Sequence, residues 1–265
     1  MADQSGNSKA GKKGPSGRSY RNATGLTRQP KKMRGRKVSS QRWLTRQLND
    51  PFVAEAKSRG FRSRAALKLE QMDDRYQLLK PGMAVVDLGC APGGWLQVAS
   101  LRTKLGTGTA RLVGIDLLET EGVTGADIFT GDMTDPEMLE TVRQAIGGAA
   151  DGVLSDMAAD TTGHRATDHL RTTALLEAAL DFALDVLNAD GFFLAKCFRG
   201  GAEKSVLDMM QRNFRTVRHV KPAASRSESV ESYVLANGFH GHGRAQDIEA
   251  DIDAGRCDAD SALII

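Results

Sequence analysis

The stretch Met83-Ala-Val-Val-Asp-Leu-Gly-Cys-Ala-Pro-Gly-Gly-Trp95 leaves this chain few folds to choose from. Ala84, Val85 and Val86 form a short apolar run with β-branched residues, introduced by Pro81-Gly82, which predicts a buried parallel strand. The run ends in Asp87, a turn with Gly89, Pro92, Gly93 and Gly94 follows, and Trp95-Leu96-Gln97-Val98-Ala99 opens a helix. Strand, glycine turn and helix in that order make a nucleotide-binding corner, where backbone N–H groups can approach a ligand. The spacing is not G-x-G-x-x-G, which disfavours a dinucleotide. An acid before the turn suits a cationic ligand better than a pyrophosphate. S-adenosylmethionine, with its sulfonium and its ammonium, meets that requirement. A glycine turn of purely structural purpose is the competing reading.

The rest of the chain repeats the alternation. A helical stripe, Ala65, Leu69, Met72 and Tyr76, precedes the corner, and Lys68 sits beside it. After the corner come a helix to about residue 104, a strand at 111–115 ending in Asp116, and a strand at 126–130 leading to Gly131-Asp132. A helix from Pro136 to Ile146 leads to a strand at 151–156, a polar loop at 157–167 and a helix at 168–188. A strand at 191–198, a helix at 202–213 and two strands at 214–221 and 230–236 complete the series. This pattern predicts an α/β fold of three layers around a mostly parallel, seven-stranded sheet. Only a loop separates the last two strands, so they are expected to form an antiparallel hairpin at one edge.

Charge divides the chain differently. Residues 1–48 hold six Lys and seven Arg against one acid, Asp3, leaving −9 for the remaining 217 residues of a chain whose total is +3. Residues 1–37 are rich in Gly, Ser, Lys and Arg and read as disordered when free, with order beginning near Gln41. The expectation is a basic, RNA-contacting arm at 1–48, a catalytic domain at 49–239 and a flexible acidic tail at 240–265. The stretch 51–62 remains basic, with Lys57, Arg59 and Arg62. No run reaches the roughly 18 apolar residues of a membrane span, and no apolar signal core opens the chain. Three widely spaced cysteines, Cys90, Cys197 and Cys257, predict neither a disulfide framework nor a zinc cluster. A cytoplasmic protein without metal or membrane partner is expected, and a monomer.

In doubly wound folds ligands sit beyond the carboxyl ends of the strands. The polar residues at those ends are Asp87, Asp116, Asp132, Asp156 and Lys196. Asp116 lies 22 positions after Gly94, about where an acid at the end of a second strand meets ribose hydroxyls. Lys196 interrupts the apolar run from Phe192 to Phe198, where lysine is rarely buried without a partner. Desolvation is one way a lysine becomes a base; snorkelling to water is the alternative.

These segments resemble the FtsJ/RrmJ-type RNA ribose 2′-O-methyltransferases over about residues 52–238. The resemblance rests on Ser63-Arg64-Ala65-Ala66-Leu67-Lys68-Leu69, on the glycine turn through Trp95, on Leu154-Ser155-Asp156-Met157, on Lys196-Cys197-Phe198, and on Lys221-Pro222 through Glu231-Ser232-Tyr233. It implies a Rossmann-like methyltransferase fold and a catalytic set of Lys68, Asp156, Lys196 and Glu231. It also implies S-adenosylmethionine contacts at Gly89, Pro92, Gly93, Trp95, Asp116, Asp132 and Asp156, with Asp116 at the ribose and Asp132 near the adenine. Lys196 would take the proton of a ribose 2′-OH, Asp156 would orient it, and Lys68 and Glu231 would hold the hydroxyl and the lysine. Cys90 stands where alanine is common in this turn, and Leu67 where an aromatic residue is usual. The implied substrate is a uridine ribose in the A-loop of 23S rRNA, on an assembled or nearly assembled large subunit. Two alternatives remain at this point: a methyltransferase of tRNA or mitochondrial rRNA, and a non-catalytic ribosome-assembly factor on the same fold.

Overall fold

The computed structural model describes residues 38–159, 162–198, 204–226 and 229–242. It divides into two units, residues 1–54 and 55–265. In the first, helix α1 (Val38–Asn49) is followed by the start of α2 (Pro51–Ser58). Asp50 starts α2, its carboxylate accepting from the Phe52 N–H at 3.0 Å, with Pro51 in the first-turn position that needs no donor. Residues 38–48, assigned from the sequence to the end of the basic arm, are thus helical, with Leu44 and Leu48 on one face. The rest of the arm and the acidic tail beyond His242 lie outside the described residues.

The second unit follows the expected alternation: α3 (Ala65–Tyr76), β1 (Ala84–Leu88), α4 (Gly94–Thr103), β2 (Arg111–Asp116), β3 (Asp127–Thr130), α5 (Pro136–Ile146), β4 (Ala150–Ser155), α6 (Arg165–Val186), β5 (Leu187–Phe198), α7 (Lys204–Asn213), β6 (Phe214–Val220) and β7 (Glu231–Phe239). Helix α5 shows how local chemistry sets the bounds. Asp135 caps its first turn by accepting from the Glu137 N–H, Pro136 follows, and Gly147 ends it at a φ of 89°. Strand β5 begins four residues before the expected Gly191, because Leu187 already pairs with Ala150 ahead of an irregularity in the ladder.

The seven strands lie in the order β3-β2-β1-β4-β5-β7-β6. β7 runs antiparallel to both β5 and β6, so the closing hairpin sits at one edge with β6 outermost. The chain order reverses between β1 and β4, and such a switch point opens a crevice at the strand ends. Alternating side chains supply two cores. Val86, Leu88, Val113, Ile115, Phe193 and Ala195 pack with α5, α6 and α7, while Val85, Leu112, Phe192, Leu194, Tyr233 and Leu235 pack with α3 and α4. By the same alternation Asp87 and Lys196 belong to the α3–α4 side, where each replaces an apolar residue.

Candidate active site

Beyond the carboxyl ends of β1 to β4 lies a cavity of about 300 Å³. Each strand delivers one part of its wall: Gly89 and Ala91 after β1, Ile115 to Leu118 at the end of β2, Gly131 to Met133 after β3, and Asp156 to Ala158 after β4. Gly89 has a φ of 77°, and a Cβ there would come within 2.4 Å of the Met157 side chain, so the turn and the β4 loop close on each other only around a glycine. Asp116 organises the wall. One carboxylate oxygen accepts from the Ala91 N–H at 2.8 Å and the other from the Leu118 N–H at 2.9 Å, tying the glycine turn to the loop after β2. Asp132 accepts from both the N–H and the hydroxyl of Thr134, which holds its carboxyl below the usual range.

Asp87 lies beneath this floor, fully buried, and neither of its carboxylate oxygens has a hydrogen-bond partner. Burial first, and then the charges of Asp156 and Asp116, push its carboxyl well above the usual range. A buried, unsatisfied carboxyl costs free energy that a cation nearby would offset. Four acids in and beneath one crevice suit a positively charged ligand better than a pyrophosphate. The residues present therefore fit S-adenosylmethionine, which is positively charged: Asp116, Asp132 and Asp156 line the cavity and Asp87 lies buried beneath it.

Beside the cavity, side chains from three elements and the loop after β4 meet in one network. Lys68 projects from α3, Lys196 from β5, Glu231 and Tyr233 from β7, and Asp156 follows β4. Lys196 and Tyr233 are register partners, and Glu231 and Tyr233 share a face two residues apart. The Lys68 ammonium donates to Glu231 Oε1 at 2.5 Å and to the Tyr233 hydroxyl at 3.1 Å. The Tyr233 hydroxyl in turn donates to Asp156 Oδ1 at 2.7 Å. Lys196 donates to the same Oδ1 at 2.8 Å and to the Asp156 backbone carbonyl at 2.7 Å, while Glu231 Oε2 stands 3.9 Å away. Ser225 adds a hydroxyl donor to Glu231 Oε1. Lys68 is 5% exposed and Lys196 9%, so neither lysine snorkels to water. Burial, followed by the two carboxylates, holds the Tyr233 phenol protonated well above its ordinary range.

All four residues of the implied catalytic set thus come together, and Asp156 belongs to both the network and the cavity wall. Of the implied cofactor contacts, Gly89, Asp116, Asp132 and Asp156 line the cavity, whereas Pro92, Gly93 and Trp95 do not. Trp95 is buried and its indole N–H donates to the Ala65 carbonyl at 2.8 Å, joining α4 to α3. Gly93 caps α4 at a φ of 99°, and Pro92 offers its carbonyl to Arg62. Sequence reasoning missed Tyr233 as the hub and Leu117, Leu118 and Met133 as apolar wall; the signal for Tyr233 was its position two residues after Glu231 on one strand. Cys90, against Gly114, and Cys197 are buried, and burial pushes both thiols up to about 12. Among the described residues no cluster of acids, histidines and cysteines could hold a metal ion, and no helix is long and apolar enough to cross a membrane.

Known proteins are similar over most of the chain. Residues 61–239 match the family described as FtsJ-like methyltransferase. The chain is 56% identical over 211 residues to the ribosomal RNA large subunit methyltransferase E of Mesorhizobium japonicum, covering 80% of each chain. It is 52% identical over 235 residues to the protein of the same name from Rhodopseudomonas palustris, covering 88% of this chain and 99% of that one. Among solved structures, a Plasmodium falciparum protein described as a ribosomal RNA methyltransferase is similar, with a TM-score of 0.61 and 26% identity. That likeness covers 69% of this chain and all of the other.

Proposed function

The chain belongs to the FtsJ-like methyltransferase family, and on that premise we propose that it methylates the ribose 2′-OH of a uridine in the A-loop of 23S rRNA. S-adenosylmethionine is the donor, and an assembled or nearly assembled large subunit presents the RNA. One observation carries the reading: a buried Lys68–Glu231–Tyr233–Asp156–Lys196 network adjoins an acid-lined cavity through Asp156. Relatives named for large-subunit ribosomal RNA methylation support the substrate class.

The donor supplies an electrophilic methyl group on a positively charged sulfur. Asp156 would face the charged end of that molecule, with Asp87 buried beneath it, and Asp116 and Asp132 would take the ribose and the adenine side. A neutral lysine keeps two N–H groups and one lone pair. Asp156 accepts two bonds from Lys196, through Oδ1 and the backbone carbonyl; acting as a base, the lysine would keep these two N–H bonds and turn its lone pair to the hydroxyl. Lys196 would take the proton from the 2′-OH, whose oxygen would accept the methyl group that the donor supplies. Lys68, held by Glu231, places a positive charge where the oxygen becomes anionic. The leaving thioether is neutral and needs no acid, so catalysis is mainly positioning plus base strength. The basic stretch 1–48 contributes phosphate contacts, which makes RNA binding salt-dependent. The protein works as a cytoplasmic monomer.

The test is methyl transfer from labelled donor to unmodified large subunits, naked rRNA and bulk tRNA, with the wild type and Lys196→Ala. Label at one A-loop ribose with the wild type and none with the variant is the expected result. Label in tRNA would move the substrate and keep the chemistry. No label on any RNA, despite donor binding, would favour an assembly factor.

A further inference from the structure

Arg62 is written in the sequence as one of several basic residues before α3, yet its guanidinium is turned inward. Its side chain is 18% exposed. Nη1 donates to the Glu121 carbonyl at 2.5 Å and to the Pro92 carbonyl at 3.3 Å, and Nη2 donates to the Gly122 carbonyl at 2.7 Å. Nε stands 3.9 Å from the Glu121 carboxylate. The backbone beneath is clipped as well: the Arg62 N–H donates to the Gln97 side chain on α4, which donates back to the Gly60 carbonyl. Gly93 leaves the space for this approach, because a Cβ there would lie 2.3 Å from Nη1. A planar fork with several fixed donors can bind carbonyls of two segments at once, which an ammonium does less well.

The two segments joined are the glycine turn, through Pro92, and the loop after β2, through Glu121 and Gly122. Leu117 and Leu118 of that loop form one wall of the cavity while remaining about two-thirds exposed, at 69% and 67%. Exposed leucines have little packing of their own to hold them, so the wall depends on its polar ties. Asp116 ties the loop at its base through the Leu118 N–H, and Arg62 ties it three and four residues further on.

We propose that Arg62 is a positioning residue that clamps the Leu117–Gly122 loop against the glycine turn and so keeps the donor cavity closed on one side. The proposal rests on the reading of that cavity as the S-adenosylmethionine site. It assigns Arg62 no contact with RNA phosphate and none with the reacting atoms. Its effect is on donor affinity: loss of the clamp opens the loop, and kcat at saturating donor stays near that of the wild type.

The experiment uses the full chain with Arg62→Gln and Arg62→Lys. S-adenosylmethionine and S-adenosylhomocysteine binding are measured by calorimetry without RNA, amide exchange is followed over residues 117–122, and kcat and KM are measured for both substrates. Arg62→Gln is expected to weaken binding of both molecules at least roughly tenfold, with Arg62→Lys about threefold, as carbonyl bonds to a charged donor are lost. Exchange in 117–122 should quicken, while KM for RNA and the thermal midpoint hold. Unchanged donor affinity with a raised KM for RNA would make Arg62 a phosphate contact and overturn the proposal. A lowered midpoint with exchange raised throughout the domain would reduce it to a general structural residue and also overturn it. If the wild type binds neither molecule, the cavity reading itself fails, an outcome distinguishable from an Arg62→Gln variant that binds as the wild type does.

Discussion

The cavity and the lysine network adjoin at Asp156, but they are built in opposite ways. The cavity is framed by turns and loops at four strand ends, with Asp116 holding two main-chain N–H groups and Gly89 admitting Met157. The network is made of side chains from α3, β5, β7 and the end of β4, and four of its five members are lysines or acids. Where ladder and turn hydrogen bonds fix the frame it tolerates local change, except in the loop after β2, which Asp116 and Arg62 tie. A site of buried charges fails as a unit when one member goes, because its partners are left uncompensated.

The largest separation between the regions is expected from Lys196→Ala against Asp116→Asn. Removing the base should lower the methyl-transfer rate by about 10³-fold, within the usual range for general bases, with donor affinity changed less than roughly twofold. Asp116→Asn keeps the shape but loses one acceptor and one charge, so it should weaken donor binding by about tenfold and leave kcat within a few-fold. Single-turnover rates beside calorimetry would decide; a Lys196→Ala variant that loses donor affinity as strongly as rate would merge the two sites into one.

The next contrast is in stability. Lys68→Met leaves Glu231 with its closest ammonium gone, in a site where Glu231 has a side-chain exposure of 20%. Breaking a buried pair costs about 3–5 kcal/mol, and the partly exposed carboxylate should bring the figure to the low end. The double variant Lys68→Met, Glu231→Leu should recover much of the loss, since both charges are then gone. Denaturant midpoints measure this directly. Asp132→Ala, at an exposed Asx turn on the cavity rim, should leave the midpoint almost unmoved. Equal losses for Lys68→Met and Asp132→Ala would mean that the network is no more tightly coupled than a surface turn.

The same contrast explains what could be seen in the sequence. Strands, crossover helices and the glycine turn follow from period and punctuation, which are local. The set Lys68, Asp156, Lys196 and Glu231 was reached by resemblance; composition alone pointed only to Lys196 and the strand-end acids. Tyr233 escaped because an aromatic residue in a strand reads as core, and its hydroxyl bonds to Asp156 and Lys68 depend on contacts across 77 and 165 positions. Gly93 and Trp95 carry no cavity wall because a glycine's purpose depends on what approaches it, here Arg62, and a tryptophan's on which layer it faces. The stretch before α3 reads only as basic, whereas Arg59 is spent on Glu70 and Glu55 and Arg62 on carbonyls.

The smallest effect concerns Asp87, which belongs by position to the cavity and by burial to the core. Its carboxyl is raised in the folded chain, so between the unfolded value of about 3.9 and the folded one the native state holds a proton that the unfolded chain has lost. Stability from this group is therefore greatest at low pH and falls as pH rises through that window, by at most about 1.4 kcal/mol per pH unit. Other carboxylates, such as Asp132, slope the opposite way, so the whole curve need not fall. The difference between wild type and Asp87→Asn isolates the group: the variant should gain on the wild type as pH rises above about 4, since its amide cannot ionise. A cationic donor beside Asp87 favours the charged form and should expel the proton on binding. Calorimetry in buffers of different ionisation enthalpy should then show release of part of a proton with the wild type and less with Asp87→Asn, at a pH inside the window. Identical proton release from both proteins would separate Asp87 from the donor's charge and leave its buried carboxyl to the core alone.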